Sequence, residues 1–456
     1  MRHPFRRHAL ALTSLLALAA CGSPPAPAAG PAPSAEAAAP PPPVASVPVA
    51  AASSAAPPES PPAPAPAAPA PPFNVLMISI DSMRADMPWA GYPRDIAPRL
   101  TALSKRAINY TQAYSISSFT SKSLGGFLGG RYPSELKRTA PFFTRYLDDN
   151  VMFAESLSAQ KVHTLAGHAH AYLGKGEGGF EQGFETWKIV PGISFDYNKD
   201  PFVTSQKMTP MAIEMLSDKR FESERFFAWF HYMDPHDLYQ PHDEAPKFGK
   251  KPRDLYDQEI FYTDLWIGKL LDFVEKQPWA KQTVIVVTAD HGEAFGEHKL
   301  YRHAFELYEV LVRVPMLFVI PGREPRVIDA PRSHIDLVPT LFELMGAKPN
   351  PELRGKSFLP ELFGEKAEPR DVVCDLPEDS HNERRRSLRH GDWKIIALAN
   401  DFRYELYDLK NDPEEKVDLI KKEKDKAKEM IDLYKATSRT IKDEVVKGGI
   451  AKHKDK

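Results

Sequence analysis

Cysteine is nearly absent. Among 456 residues only Cys21 and Cys374 occur, so no network of disulfides holds the fold together. Net charge is nearly absent too, with 59 basic against 61 acidic side chains. That balance lacks the basic surplus that contact with a phosphate backbone requires, and it argues against nucleic acid as a partner. The N-terminal apolar stretch, Ala9 to Ala20, is too short to cross a bilayer as a helix. No internal repeat is visible. Proline is plentiful but uneven: 19 of the 44 lie between Gly22 and Pro72.

Arg2, Arg6 and Arg7 precede the apolar stretch, the layout of a secretory signal. Its end, Leu18-Ala19-Ala20-Cys21-Gly22, resembles a bacterial lipoprotein processing site, which implies a lipidated Cys21 and attachment to the cell envelope, with the outer membrane favoured. Lipidation leaves Cys374 alone. Residues 22–72, almost entirely Pro, Ala and Ser, cannot bury a core and form an extended tether. Four segments follow: a signal over 1–21, the tether over 22–72, an α/β domain over 73–365, and a C-terminal subdomain over 366–456. In the last segment, short antiparallel strands precede a basic helix from Asp418 to roughly Lys447. Residues 421–456 carry 12 Lys/Arg against 7 Asp/Glu, a surplus that reads as a solvated helix face and tail.

Between Asn74 and Gly346, strand and helix signals alternate, predicting a doubly wound, mostly parallel sheet flanked by helices. Two of its apolar runs stop at metal-ligand residues: Asp81 after NVLMISI, and Asp290-His291 after TVIVVTA. Ligands of open α/β sheets sit beyond the carboxyl ends of such strands. Asp81, Asp290 and His291 therefore form a candidate divalent metal site. Its mixed oxygen and nitrogen donors suit zinc or manganese better than calcium. A third run, FFAWFHYMDPH, ends in Asp234 and His236, and with His303 these offer an alternative second metal site. A helix predicted from Thr120 places that hydroxyl at a helix N-terminus, where negative charge is stabilised, with Lys122 beside it to bind substrate oxygens. Thr120 is equally a common helix cap. Gly125, Gly126, Gly129 and Gly130 within that helix predict close approach of another backbone or of the substrate site.

These pieces bring in a resemblance. ISIDSMRAD, GYPRDIAPRLTALSKRA, GRYP, YMDPHDLYQP, VVTADHGEAFGEH, YEVLVRVPMLF, IDLVPTL and ELYDLKNDPEE, in this order, resemble the sulfatase family of the alkaline phosphatase superfamily over essentially all of 73–456. The resemblance implies a metal-dependent ester hydrolase. Sulfatases place a Cys or Ser, later oxidised to formylglycine, ten residues before the Gly of GRYP; here that residue is Thr120. Leu124 replaces the family's arginine. Both departures resemble the threonine-nucleophile branch of the superfamily, in which the threonine sits on the metal and is phosphorylated. By position, His170 implies a group activating the nucleophile and His236 a leaving-group acid. His168, Lys122 and His303 imply anion-binding groups.

The sequence thus predicts an envelope-tethered hydrolase acting on small anionic esters, or on sulfated or phosphorylated glycans or lipids. Phosphorus esters are favoured over sulfate. A phosphoryl-group transferase and an inactive anion-binding protein stay open as alternatives.

Overall fold

The apolar runs Asn74–Ile80, Phe226–Tyr232 and Thr283–Ala289 are buried at every position, as strands covered on both faces must be. The structure, a computed structural model, describes residues 72–194, 202–444 and 446. The predicted signal, Cys21 and nearly all of the tether lie outside the described residues. In chain order the strands are β1 (Asn74–Ile80), β2 (Ile108–Tyr114), β3 (His163–His168), β4 (Thr186–Ile189), β5 (Phe226–Tyr232), β6 (Thr283–Ala289), β7 (Ala294–Phe295), β8 (Tyr301–Arg302), β9 (Arg313–Val319), β10 (Arg326–Ile328), β11 (Arg332–Ser333), β12 (Val372–Leu376), β13 (Arg385–His390), β14 (Trp393–Leu398) and β15 (Arg403–Asp408).

Among the described residues, a nine-stranded sheet runs β10-β2-β9-β6-β1-β5-β3-β4, with β11 beside β2. β1 is central, parallel to both β5 and β6. β9 alone among the described strands of this sheet is antiparallel to its neighbours, β6 and β2. The pleat sends Val75 and Met77 to one face and Leu76, Ile78 and Ile80 to the other. Helices Thr120–Gly129 and His334–Leu344 cover the first face through Phe127, Leu128, Leu337 and Leu341. Helices Ser205–Leu216 and Pro252–Val274 cover the second through Met208, Ala212, Ile260 and Ile267. The mostly parallel α/β architecture predicted from the sequence is what forms.

Strands β12 to β15 make a separate antiparallel sheet. Ala427, Met430 and Tyr434 of the helix Lys424–Ser438 pack on Leu388, Ile395 and Leu406. That helix is shorter than the predicted Asp418–Lys447. Asp418 accepts hydrogen bonds from the amides of Leu406 (3.1 Å) and Ile420 (3.0 Å), tying the preceding turn to β15 instead of starting a helix. Asp375 accepts from the amide and hydroxyl of Ser134, both at 2.8 Å, and pairs with the buried Arg386, joining the small sheet to the large domain.

A polar row crosses the otherwise apolar first face. His168, His231, Ser79 and Thr288 are register partners on β3, β5, β1 and β6, and His334 lies 2.8 Å from the Thr288 hydroxyl. Burial pushes the His334 imidazole down to about 4. Its folded pKa is therefore below the unfolded value of about 6.5, so the neutral ring is at no disadvantage above that pH. Stability falls as pH drops from about 6.5 towards 4, by about 3 kcal/mol from this group. Urea unfolding at several pH values checks this: His334→Asn flattens that part of the profile, and an unchanged slope contradicts the assignment.

Candidate functional site

β1 and β6 run side by side in the same direction, so their carboxyl ends deliver Asp81 and Asp290-His291 to one point. The ligand-type atoms of these three buried residues all lie within 4.8 Å of one another. Ser82 takes the left-handed conformation (φ 57°), which lets its amide reach Asp290 Oδ1 (3.3 Å) and its hydroxyl reach Asp81 Oδ1 (2.8 Å). His291 Nδ1 donates to the Gly292 carbonyl at 3.0 Å, leaving the Nε2 lone pair facing the cluster.

Burial penalises the charge of Asp81, but the His231 hydrogen bond and the nearby His236 and His291 hold its carboxyl well below the usual range. Burial and the Asp81 charge push Asp290 upward. Asp290 Oδ2 is buried with no hydrogen-bond partner. Two facing carboxylates, one orphaned oxygen and an imidazole lone pair suit a divalent cation. Removing such an ion with a chelator lowers the melting temperature by roughly 5 °C, and adding zinc or manganese back restores it. Thermal unfolding before and after EDTA checks this, and no shift contradicts a resident metal.

The helix beside the cluster starts where the sequence predicts, spanning Thr120–Gly129. Phe119, not Thr120, occupies the cap position, and no side-chain cap forms. The Thr120 hydroxyl instead lies 3.0 Å from His291 Nε2 and 3.3 Å from Asp81 Oδ2. The glycines admit side chains at three positions and, at Gly126, the Arg131 carbonyl as well, which a Cβ would meet at 3.2 Å. A Cβ on Gly125 would meet the Tyr146 ring at 2.1 Å, and one on Gly129 the Leu136 side chain at 2.8 Å. Gly130 closes the helix in the left-handed region (φ 61°).

Lys122 and His168 depart from expectation. The Lys122 ammonium is buried against Asp379 (3.3 Å) and bonded to the Thr144 hydroxyl and the Phe142 carbonyl (3.2 Å). Burial outweighs the Asp379 charge and brings its pKa to about 8. It is therefore a counter-charge to the C-terminal subdomain, not a group aimed at substrate. His168 is fully buried against Trp187 (centroids 4.8 Å), neither ring nitrogen has a hydrogen-bond partner, and burial pushes its pKa to about 3. A neutral, enclosed ring is poorly suited to hold an anion. Asp234, considered for a second metal, accepts from the amides of Thr204 (2.6 Å) and Ser205 (2.9 Å) and is occupied capping a helix.

The remaining histidines gather at the mouth. The His303 ring lies 4.2 Å from His291 and 5.2 Å from His236, and His236 lies 6.0 Å from His170. Burial disfavours the His303 charge, but Glu293 (3.1 Å) outweighs it and raises the pKa to about 9. His170 accepts from the Tyr172 amide at 3.1 Å, and burial lowers its pKa to about 3. His236 Nδ1 donates to the Asp237 carbonyl at 2.6 Å, which leaves Nε2 available.

Two site residues were missed in the sequence reading. His231 sits 3.3 Å from Asp81 Oδ2, its other nitrogen 2.7 Å from the Ser79 hydroxyl, which accepts from Trp229 Nε1 at 2.7 Å. Its signal was a lone polar residue on the inward face of FFAWFHY. Glu293, fully buried, holds His303 and accepts from Tyr239 (2.8 Å); its signal was its place directly after Asp-His-Gly.

A mostly parallel α/β sheet with an Asp/Asp/His cluster at the ends of adjacent central strands is an alkaline-phosphatase-like fold with a candidate metal site. The chain belongs to the sulfatase family: the Sulfatase model matches residues 73–347, and the model for the C-terminal part of N-sulphoglucosamine sulphohydrolase matches 296–442. It is 27% identical over 324 residues to the ulvan-active sulfatase of Formosa agariphila, covering 60% of this chain and 62% of that protein. It is 24% identical over 434 residues to the choline-sulfatase of Rhizobium meliloti, covering 76% and 82%. The chain thus spans less than two thirds of the first of these relatives and more of the second. The Agrobacterium radiobacter phosphonate monoester hydrolase shares the fold, with a TM-score of 0.66 at 16% identity over 83% of this chain and 99% of that one. So does Ps i-CgsB, solved with k-i-k-neocarrahexaose, with a TM-score of 0.69 at 20% identity over 84% and 96%.

Proposed function

We propose that this sulfatase-family chain hydrolyses anionic esters with Thr120 as nucleophile, acting on phosphorus esters in preference to sulfate esters. The observation that carries the reading is the Thr120 hydroxyl, free of capping duty and set against His291 and Asp81 at 3.0 and 3.3 Å. Threonine bears a methyl group on Cβ, so oxidation there gives a ketone and never the formyl group of sulfatases. The hydroxyl itself must therefore attack. A divalent ion held by Asp81, Asp290 and His291 would supply positive charge to the ester oxygens and lower the pKa of the hydroxyl. His303 faces the developing negative charge. His236, whose Nε2 lone pair is free, takes up the Thr120 proton and returns it to the leaving oxygen, while neutral His170, its Nδ1 held by the Tyr172 amide, lines the site. Water then releases the group from Thr120.

Sulfate-ester hydrolysis is the second reading, favoured by the sulfatase names of the relatives. Sulfated or phosphorylated glycans or lipids are the substrates consistent with attachment to an envelope through Cys21. Nitrophenyl sulfate, phosphate monoester, phosphate diester and phosphonate monoester, each assayed with manganese, zinc and calcium, separate the readings. Release in water from a phosphorus ester is expected. Turnover confined to the sulfate overturns the preference, and product only with an added acceptor alcohol makes the chain a transferase.

A further inference from the structure

His236 and His303 stand on different segments, and one buried carboxylate ties those segments together. His303 closes the β7–β8 hairpin, flanked by Arg302 (φ 69°) and Ala304 (φ 88°) in the left-handed region. Non-glycine residues keep that conformation only where their surroundings hold them. His236 begins the segment that runs on to Tyr239. Glu293 Oε1 lies 3.1 Å from His303 Nδ1, while Oε2 accepts the Tyr239 hydroxyl at 2.8 Å. A second tie joins the same two segments, since Arg302 pairs with Asp237 at 2.9 Å.

The two ties are unequal. The Arg302 side chain is 57% exposed, so water screens its pair and the pair contributes little. Glu293 is fully buried, and losing the Tyr239 hydroxyl leaves one of its oxygens short of a donor away from water, a costlier change. The Tyr239 ring is itself held in place. It meets Phe295 of β7 at 5.5 Å and Tyr256 edge-on at 5.8 Å, and the Tyr256 hydroxyl donates to the Ser82 carbonyl at 2.9 Å, beside Asp81. Resting on the ester-hydrolase reading above, we propose that Tyr239 is a positioning residue. Through Glu293 it clasps the His236 segment to the hairpin and fixes the 5.2 Å spacing of the His236 and His303 rings. Tyr239 moves no proton; its effect on the reaction passes through His236.

The test uses Tyr239→Phe, which keeps the ring and removes the bond, beside His236→Ala and the double variant, all in the full chain. Kinetics are read on the nitrophenyl ester that wild type turns over fastest, and hydrogen–deuterium exchange is read over 236–240 and 294–304. Tyr239→Phe is expected to lower kcat roughly 10-fold while KM stays within about 2-fold of wild type. Exchange speeds up in both segments together. In the His236→Ala background, Tyr239→Phe has no further effect on kcat. Full kcat in Tyr239→Phe, losses that multiply in the double variant, or a full rate in His236→Ala overturns the positioning role. Absence of turnover on every ester removes the hydrolase reading alone, and exchange then decides the clasp: faster in both segments keeps it, faster in one or neither overturns it.

Discussion

Thr120→Ala abolishes turnover while the protein stays folded and keeps its metal, with kcat/KM falling roughly 10,000-fold or more. The size follows from the chemistry: removing a covalent nucleophile removes the intermediate, leaving only water at a site shaped for a fixed hydroxyl. Folding is spared because Thr120 is the first residue of its helix and caps nothing. Alanine keeps the Cβ and is a better helix former. Steady-state kinetics, with circular dichroism and metal analysis on the same preparation, check the result. Thr120→Ser separates roles further, since it keeps the hydroxyl and retains most of the rate. Full activity in the alanine variant means that water attacks directly and Thr120 only lines the site.

Lys394→Met is expected to cost about 3–5 kcal/mol of stability. Lys394 is buried on β14, 2.8 Å from Glu309 and 2.9 Å from Glu415, both buried too. Burial disfavours its charge, but the two carboxylates raise its pKa above the usual lysine range. Burial raises Glu415 to about 7, more than Lys394 lowers it, while Glu309 is held low by Lys394 and the Tyr114 hydroxyl. Methionine fills the stem's volume but leaves two carboxylates facing each other out of water. Their folded pKa values then lie above the unfolded ones, so stability is present at low pH and lost as pH rises through them. The defect is therefore larger at pH 8 than at pH 5. Denaturant unfolding at both pH values checks this, and adding Glu415→Gln recovers part of the loss if the pairing is the cause.

The meeting of Asp81, Asp290 and His291 was legible because each ends an apolar run, and a strand's end fixes where its next residues point. Thr120 was legible through the helix that begins there. Lys122 and His168 were misread for one reason: position in a motif does not reveal a partner elsewhere in the chain. The Lys122 partner, Asp379, lies in the C-terminal subdomain, and His168 is enclosed beside Trp187 at the sheet edge. His231 was invisible because an inward residue of a buried strand carries no mark of what faces it across the sheet. Only the β1–β5 register sets it opposite Ser79 and near Asp81.

Asp379, Ser380 and His381 come from the small sheet, yet they neutralise Lys122 and brace Phe142 within the larger domain. The boundary visible in the topology is thus not a boundary of modularity. Truncation near residue 365 strands a buried ammonium two residues from Thr120 and removes the bracing of Phe142. Any exchange of the β12–β13 connection therefore has to keep an acidic side chain opposite Lys122, so this loop and the Thr120 helix vary together or not at all.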